Sequence, residues 1–120
     1  MKTNRFALAT VCLAGLAAAA SAQEAPGSYK RPNGDTVRVS VSGGKLYCQI
    51  VAGTQPGFEM CHGMAKTGAN VWQGAEMKHP SMPGIMTFNG TVTVSPASLT
   101  IKGCAVGQSM CDSETWSRRK

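Results

Sequence analysis

The chain has 120 residues, of which 42% are hydrophobic and 15% charged, with twelve Lys+Arg against six Asp+Glu. That length leaves room for one small domain, in the range where a core needs covalent help. The cations do not cluster with aromatic residues outside the tail Trp116-Ser117-Arg118-Arg119-Lys120, which argues against a nucleic-acid-binding surface.

In chain order, Lys2 and Arg5 come first, followed by the apolar run Phe6–Ala20 and then Ala20-Ser21-Ala22. A positive start, an apolar centre and a small-residue cleavage site are the layout of a secretory signal peptide, residues 1–22, cut before Gln23. The run is short for a bilayer span, which takes about 20 residues, and no second run of that kind follows, so no transmembrane segment is expected. Cys12 has apolar residues on both sides and belongs to this signal rather than to a lipid attachment site. The remaining residues, 23–120, form a single domain expected in the periplasm or secreted, with ten Lys+Arg against six Asp+Glu. Such a surface is solvated and suited to contact with an anionic envelope; nucleic acid is not an expected partner.

Pro32-Asn33-Gly34-Asp35 reads as a turn, because Asn and Gly tolerate positive φ. Thr36–Ser42 (TVRVSVS) alternates Val37, Val39 and Val41 with Arg38 and Ser40, and Ser42-Gly43-Gly44-Lys45 turns it back into the strand Lys45–Val51. Gly53–Met64 is the one stretch that could hold a helical turn. Ala69–Met77 is the next strand, ended by the prolines of His79-Pro80-Ser81-Met82-Pro83-Gly84. Ile85–Phe88 and Thr91–Val94 are predicted to pair through an Asn89-Gly90 hairpin, the strongest turn signal in the chain. Ser98–Cys104 alternates Leu99 and Ile101 with Thr100 and Lys102, and Cys111–Arg118 is the last predicted strand.

Four cysteines remain beyond the signal: Cys48, Cys61, Cys104 and Cys111. An even count in a small exported domain reads as two disulfides. Three pairings are open, with the local one, Cys48–Cys61 and Cys104–Cys111, preferred. Their spacing lacks the paired Cys-x-x-Cys of a zinc site. Seven or eight short strands at regular spacing predict an all-β domain, a small antiparallel up-and-down barrel stapled by disulfides.

Gly27-Ser28-Tyr29, the Pro-Asn-Gly turn and the alternating valines open the domain. Trp72-x-Gly74, Met77-x-x-Pro80 with Gly84, Leu99-x-Ile101-x-Gly103-Cys104, and Cys111 with Thr115-Trp116-x-Arg118 follow. In these residues, from Gly27 to Arg119, the chain resembles the bacterial family called domain of unknown function 2147. Tyr29 stands where that family usually carries Trp, and the Met77–Gly84 turn lacks its usual acidic residue and has an extra proline. The resemblance implies a lipocalin-like β-barrel exported to the periplasm, and it implies no catalytic residues.

The chemistry-bearing residues favour binding over catalysis. Gly107-Gln108-Ser109-Met110-Cys111 begins like a nucleophile elbow but lacks its closing glycine and its strand-to-helix setting. No carboxylate pair sits at a diagnostic spacing, and each acid reads as a surface or turn residue. No enzyme activity and no cofactor are therefore expected. Tyr29, Trp72, Phe88 and Trp116 are candidates to line a site for a small apolar or amphipathic ligand. A metal alternative rests on Met60, His62, Met64 and His79, with Met77, Met82 and Met86 nearby: thioether and imidazole donors suit copper(I). Against it, methionine commonly fills gaps in cores. The leading expectation is a non-enzymatic binding barrel. The alternatives are an envelope structural or stress protein acting through its basic surface, and periplasmic copper binding.

Overall fold

Alternating sequence runs through most of residues 24–81, 87–105 and 110–119, which the computed structural model describes, and every strand finds a partner on each side. The strands are β1 (Gly27–Lys30), β2 (Thr36–Ser42), β3 (Lys45–Ala52), β4 (Glu59–Gly68), β5 (Val71–Met77), β6 (Phe88–Val94), β7 (Ser98–Ala105) and β8 (Met110–Arg118). They pair antiparallel in chain order, and β8 returns to β1 to close the barrel. The expected all-β up-and-down barrel is therefore the observed one. No helix among the described residues is long and apolar enough to cross a membrane.

Two open ends follow from the strand directions. The Arg31 end gathers the 31–35 and 53–58 connections, and the Arg118 end gathers the start of β1, the 42–45 hairpin and the 95–97 turn. An eight-stranded barrel is just wide enough for its own side chains to fill. Tyr29, Val37, Leu46, Ile50, Met64, Met77, Val92, Leu99 and Trp116 are all fully buried. The outward rows are polar, as in Arg38, Ser40 and Gln49, or Thr91, Lys102 and Ser113, so the wall faces water rather than an apolar band of lipid.

Both disulfides link register partners, Cys48 with Cys61 across β3–β4 and Cys104 with Cys111 across β7–β8. The first is buried and sits in the inward row with Leu46 and Ile50. The second lies in the outward row, with Cys111 exposed. By chain entropy such short loops contribute roughly 2–3 kcal/mol each.

Three expectations about local structure give way. Asn89-Gly90 is not a turn: β6 runs straight through it, with Asn89 opposite Cys104 and Gly90 between Gly74 and Gly103. Glycine is there for space rather than for positive φ, because a Cβ on Gly90 would collide with the Met77 side chain. Gly53–Met64 holds no helix; a bend at 53–57 leads into β4, whose bulged pairing with β3 interrupts the strict alternation that would have marked it as strand. The strand predicted from Ala69 starts at Val71, with Ala69 and Asn70 in the turn. The predicted signal peptide 1–22, and Met82, Pro83, Gly84, Ile85, Met86 and the 107–109 part of the elbow-like motif, lie outside the described residues.

Inward-facing glycines on three adjacent strands admit long neighbours. Gly74 receives Met64, Gly90 receives Met77, and Gly103 receives the ring of Phe88. Gly103→Ala should therefore push the Phe88 ring aside and cost roughly 1–3 kcal/mol, seen as a lower urea midpoint. The double variant Gly103→Ala/Phe88→Leu should recover part of that loss. A single variant as stable as the parent would mean the ring does not occupy the niche.

Candidate functional site

Charged side chains inside a barrel are the first place to look for a site, since a buried charge persists only when it is paired. β1 ends at Lys30, and the next inward position, Arg31, is buried at the Arg31 end. Its guanidinium grips Glu114 of β8 with two bonds, Nε–H to Oε1 at 2.9 Å and Nη2–H to Oε2 at 3.1 Å, and donates through Nη1 to Asp35 Oδ2 at 3.0 Å. Trp116 Nε1–H donates to the same Glu114 Oε1 at 2.6 Å.

Asp35 is 1% exposed yet fully served. It accepts from Arg31, from Asn33 Nδ2–H at 3.1 Å, and from the Thr54 backbone N–H at 3.0 Å and the Thr54 hydroxyl. Its own N–H donates to Asn33 Oδ1 at 2.9 Å, which shapes the turn. Gly53, at φ +123°, brings its backbone against Asp35, where any Cβ would collide with the carboxylate. His79 borders the cluster, with Nε2 at 3.3 Å from Arg31 Nη2 and Nδ1 accepting from the Ser81 N–H at 3.1 Å.

The electrostatics follow from these bonds. The Thr54 backbone N–H, more than offsetting burial, and then Asn33, the Thr54 hydroxyl and Arg31 hold Asp35 below the usual carboxylate range. Burial pushes Glu114 up, but the Arg31 and Trp116 hydrogen bonds with the guanidinium charge reverse this and leave it low as well. Arg31 is in turn held more firmly protonated, first by the Glu114 hydrogen bond.

The opposite end has its own arrangement. Arg118 stacks over the Tyr29 ring at 4.9 Å and donates to the Glu24 carbonyl at 2.6 Å, while the Tyr29 hydroxyl donates to the Ala25 carbonyl at 2.7 Å. Burial raises the Tyr29 pKa despite that neighbouring guanidinium. Lys66 similarly lies over Trp72, 5.6 Å from the ring centre. These are cation–π contacts that cap two inner rings with charge facing water.

The four candidate ligand-lining rings are thus placed in different parts of the interior. Tyr29 and Trp116 are fully buried, and Trp72 is 7% exposed. Phe88 is half-buried against Gly103. Each meets protein atoms, and none lines either of two open grooves on the outer wall. One groove crosses β5–β7 between Gln73, Thr91 and Lys102. The other crosses β2–β4 between Arg38, Tyr47 and Glu59.

The metal alternative is split by the barrel wall. Met60 and Met64 are buried, whereas His62 is exposed and bonded through Nδ1 to Glu59 at 3.0 Å, and His79 sits with Arg31 and Ser81. Among the described residues no group of three His, Cys, Asp or Glu side chains converges as metal ligands would. Sequence reasoning placed Asp35 in a turn and Glu114 on the surface; the structure buries Asp35 with Arg31 and draws Glu114 in part-buried beside them. The available signal was parity: Arg31 lies two residues after Tyr29, and Glu114 two before Trp116, on the same inward faces. No protein family, no curated protein and no solved structure matches this chain.

Arg31→Met removes the cation and leaves the buried Asp35 and part-buried Glu114 carboxylates without it, which should cost about 3–5 kcal/mol. The pH response carries the sign. In the parent protein both carboxylates have depressed folded values, so their stabilisation is full above the ordinary carboxylate range near pH 4 and is lost as pH falls through the depressed values. In Arg31→Met the Glu114 value should rise above its unfolded one, so acidification toward pH 4 should instead reduce the stability difference between variant and parent. Urea titrations of both proteins from pH 7 to 4 check this, and a constant difference would show that Arg31 does not set the carboxylate values.

Proposed function

We propose that this chain is an exported, non-enzymatic barrel protein that acts through its outer surface at an anionic envelope rather than by enclosing a ligand. The observation that carries this reading is the filled interior: the central side chains are solvent-inaccessible, and the inward glycine niches are occupied by Met64, Met77 and Phe88. An enclosed apolar ligand would have to displace close-packed side chains, at a cost comparable to overpacking a core.

Three further features support it. Two disulfides suit an oxidising compartment and the signal-like residues 1–22. Asp35 and Glu114 are committed to Arg31, which leaves neither poised for acid–base work. Gly27-x-Tyr29 and Thr115-Trp116-x-Arg118, distant in sequence, meet at the barrel seam, in keeping with the lipocalin-like architecture of the resembled family.

The surface charge is uneven. Lys45, Lys66 and Arg118 lie toward the Arg118 end, with Glu24; Glu59, Glu76 and Asp112 lie toward the Arg31 end, with Lys30 and Lys78, and Arg119 reaches back to the Thr36 hydroxyl at 2.9 Å. The Arg118 end is the face we assign to the anionic surface. Each cation near an anionic membrane contributes about 1 kcal/mol.

Vesicles of phosphatidylglycerol in phosphatidylcholine test this by co-sedimentation. Binding should appear with the anionic lipid, be absent on phosphatidylcholine alone, and vanish in about 1 M salt, where the Debye length is about 3 Å. Lys45→Gln/Lys66→Gln should weaken it several-fold. Absence of vesicle binding, together with a lipid-sized extra mass on the native protein, would reverse the reading in favour of an enclosed ligand.

A further inference from the structure

The groove on the outer face of β2–β4 has the makings of a recognition site, and nothing in the fold requires it. Its centre is Tyr47, half-buried on the outward row of β3. On the β2 side the neighbours are small, with Ser40 directly opposite Tyr47 in register and Ser42 beyond it. On the β4 side Gly63 sits near the phenol at φ +65°, a conformation that side-chain-bearing residues rarely adopt; an added Cβ there would come within 4.0 Å of the Tyr47 hydroxyl. Small neighbours on both flanks leave the ring only half-buried.

The ring is also held in place. His62 meets it edge-on, with ring centres 5.2 Å apart and planes at 88°, and Glu59 fixes His62 through Nδ1 at 3.0 Å. A second row across the same three strands places Arg38 opposite Gln49, and Gln49 opposite Glu59. Gln49 is anchored by donating to the Gly57 carbonyl at 3.0 Å. The result is a groove of about 390 Å³, with one aromatic platform, two serine hydroxyls, a guanidinium, an amide and a carboxylate. That volume lies near the lower end of the roughly 300–1,000 Å³ seen for ligand sites.

The chemistry selects the ligand class. β2, β3 and β4 are paired on both sides, so an extended peptide cannot add to the sheet here. An acyl chain would meet Arg38, Glu59 and two serines around a single ring. A sugar fits both halves: its C–H face lies on the electron-rich face of an aromatic ring, and its hydroxyls both donate and accept, as the mixed rim demands. The parallel groove over β5–β7 has Gln73, Asn89, Thr91 and Lys102 but no ring.

We infer that the Tyr47 groove binds a neutral pyranose oligosaccharide segment, with Tyr47 as the stacking platform and Arg38, Gln49 and Glu59 as the polar arms. This rests on the surface-acting reading only in placing the ligand outside the barrel.

The test titrates the disulfide-bonded protein with triacetylchitotriose and follows backbone amide shifts. Shifts should concentrate at Ser40, Ser42, Tyr47, Gln49 and Glu59–Gly63 and persist in high salt, which separates them from vesicle binding. Tyr47→Ala should weaken binding at least about tenfold, equivalent to about 1.4 kcal/mol, while Tyr47→Phe retains most of it and Gln73→Ala in the other groove changes nothing. Should Tyr47→Ala fold poorly, Ser40→Tyr fills the groove from β2 and should abolish binding in a folded protein. No localised shifts at millimolar sugar, or undiminished binding in folded Tyr47→Ala or Ser40→Tyr, overturns the proposal whatever the vesicles show.

Discussion

Closure of the barrel depends on its narrowest seam. β1 meets β8 through two register pairs, Tyr29 with Arg118 and Lys30 with Ser117, whereas β7 and β8 share eight. Backbone ladders of that length would leave a frayed opening. Side chains make up the difference by crossing the seam in both directions. Arg118 reaches from β8 over the Tyr29 ring of β1, and Arg31 reaches from the end of β1 to Glu114 of β8. Arg31 lies one step beyond the ladder and Arg118 is its last register partner, one toward each end of the barrel, so the seam is clamped on both sides of its two pairs. Trp116 stands between the clamps, its ring in the core and its N–H on Glu114. Buried ion pairs add little net stability in general. Here their consequence is register: Glu114 can meet Arg31 only when Tyr29 lies opposite Arg118.

The same economy shapes the interior. With 42% hydrophobic residues and few aromatics, the chain fills its barrel by pairing long flexible side chains with missing ones. Met64 lies against Gly74, Met77 against Gly90, and Phe88 against Gly103, so one strand supplies the bulk that its neighbour omits. Methionine suits this because it bends into irregular space. The methionine richness of the central chain, which first reads as a set of soft metal donors, is accounted for at Met60, Met64 and Met77 by packing.

Much of the architecture was legible because alternation is a strong signal where each strand has one wet and one dry face. The valines of β2 and the Leu99–Ile101 pair of β7 gave both strand and facing, and cysteine spacing pointed to the observed pairs. Legibility failed where one residue type serves two purposes. Asn89-Gly90 carries turn chemistry, but its glycine was selected by the room Met77 needs, a fact about another strand. β4 hid because bulges beside Cys48 put Met60 and Cys61 both inside. The Arg31 cluster hid for a similar reason, since Asp35 sits in a turn that looks solvent-facing until Thr54, nineteen residues on, folds over it. The outer groove was illegible for want of a cross-strand map: Ser40, Tyr47 and Gly63 become neighbours only through register.

The internal cluster also changes what the outside presents. Pairing buried Arg31 with buried Asp35 and part-buried Glu114 ties up one positive and two negative charges, so the charges left over are more positive by one than those of residues 23–120 as a whole. The clamp that closes the seam thus also leaves the remaining charges more positive. Strand direction then sorts what remains: the odd strands begin at the Arg118 end, where Lys45 starts β3, and the even strands deliver Lys66 and Arg118 to it. In a barrel filled by its own side chains, the closure that fills the inside is what makes the outside distinctive. The two ends differ in charge, and the wall between them carries a half-buried ring among polar arms.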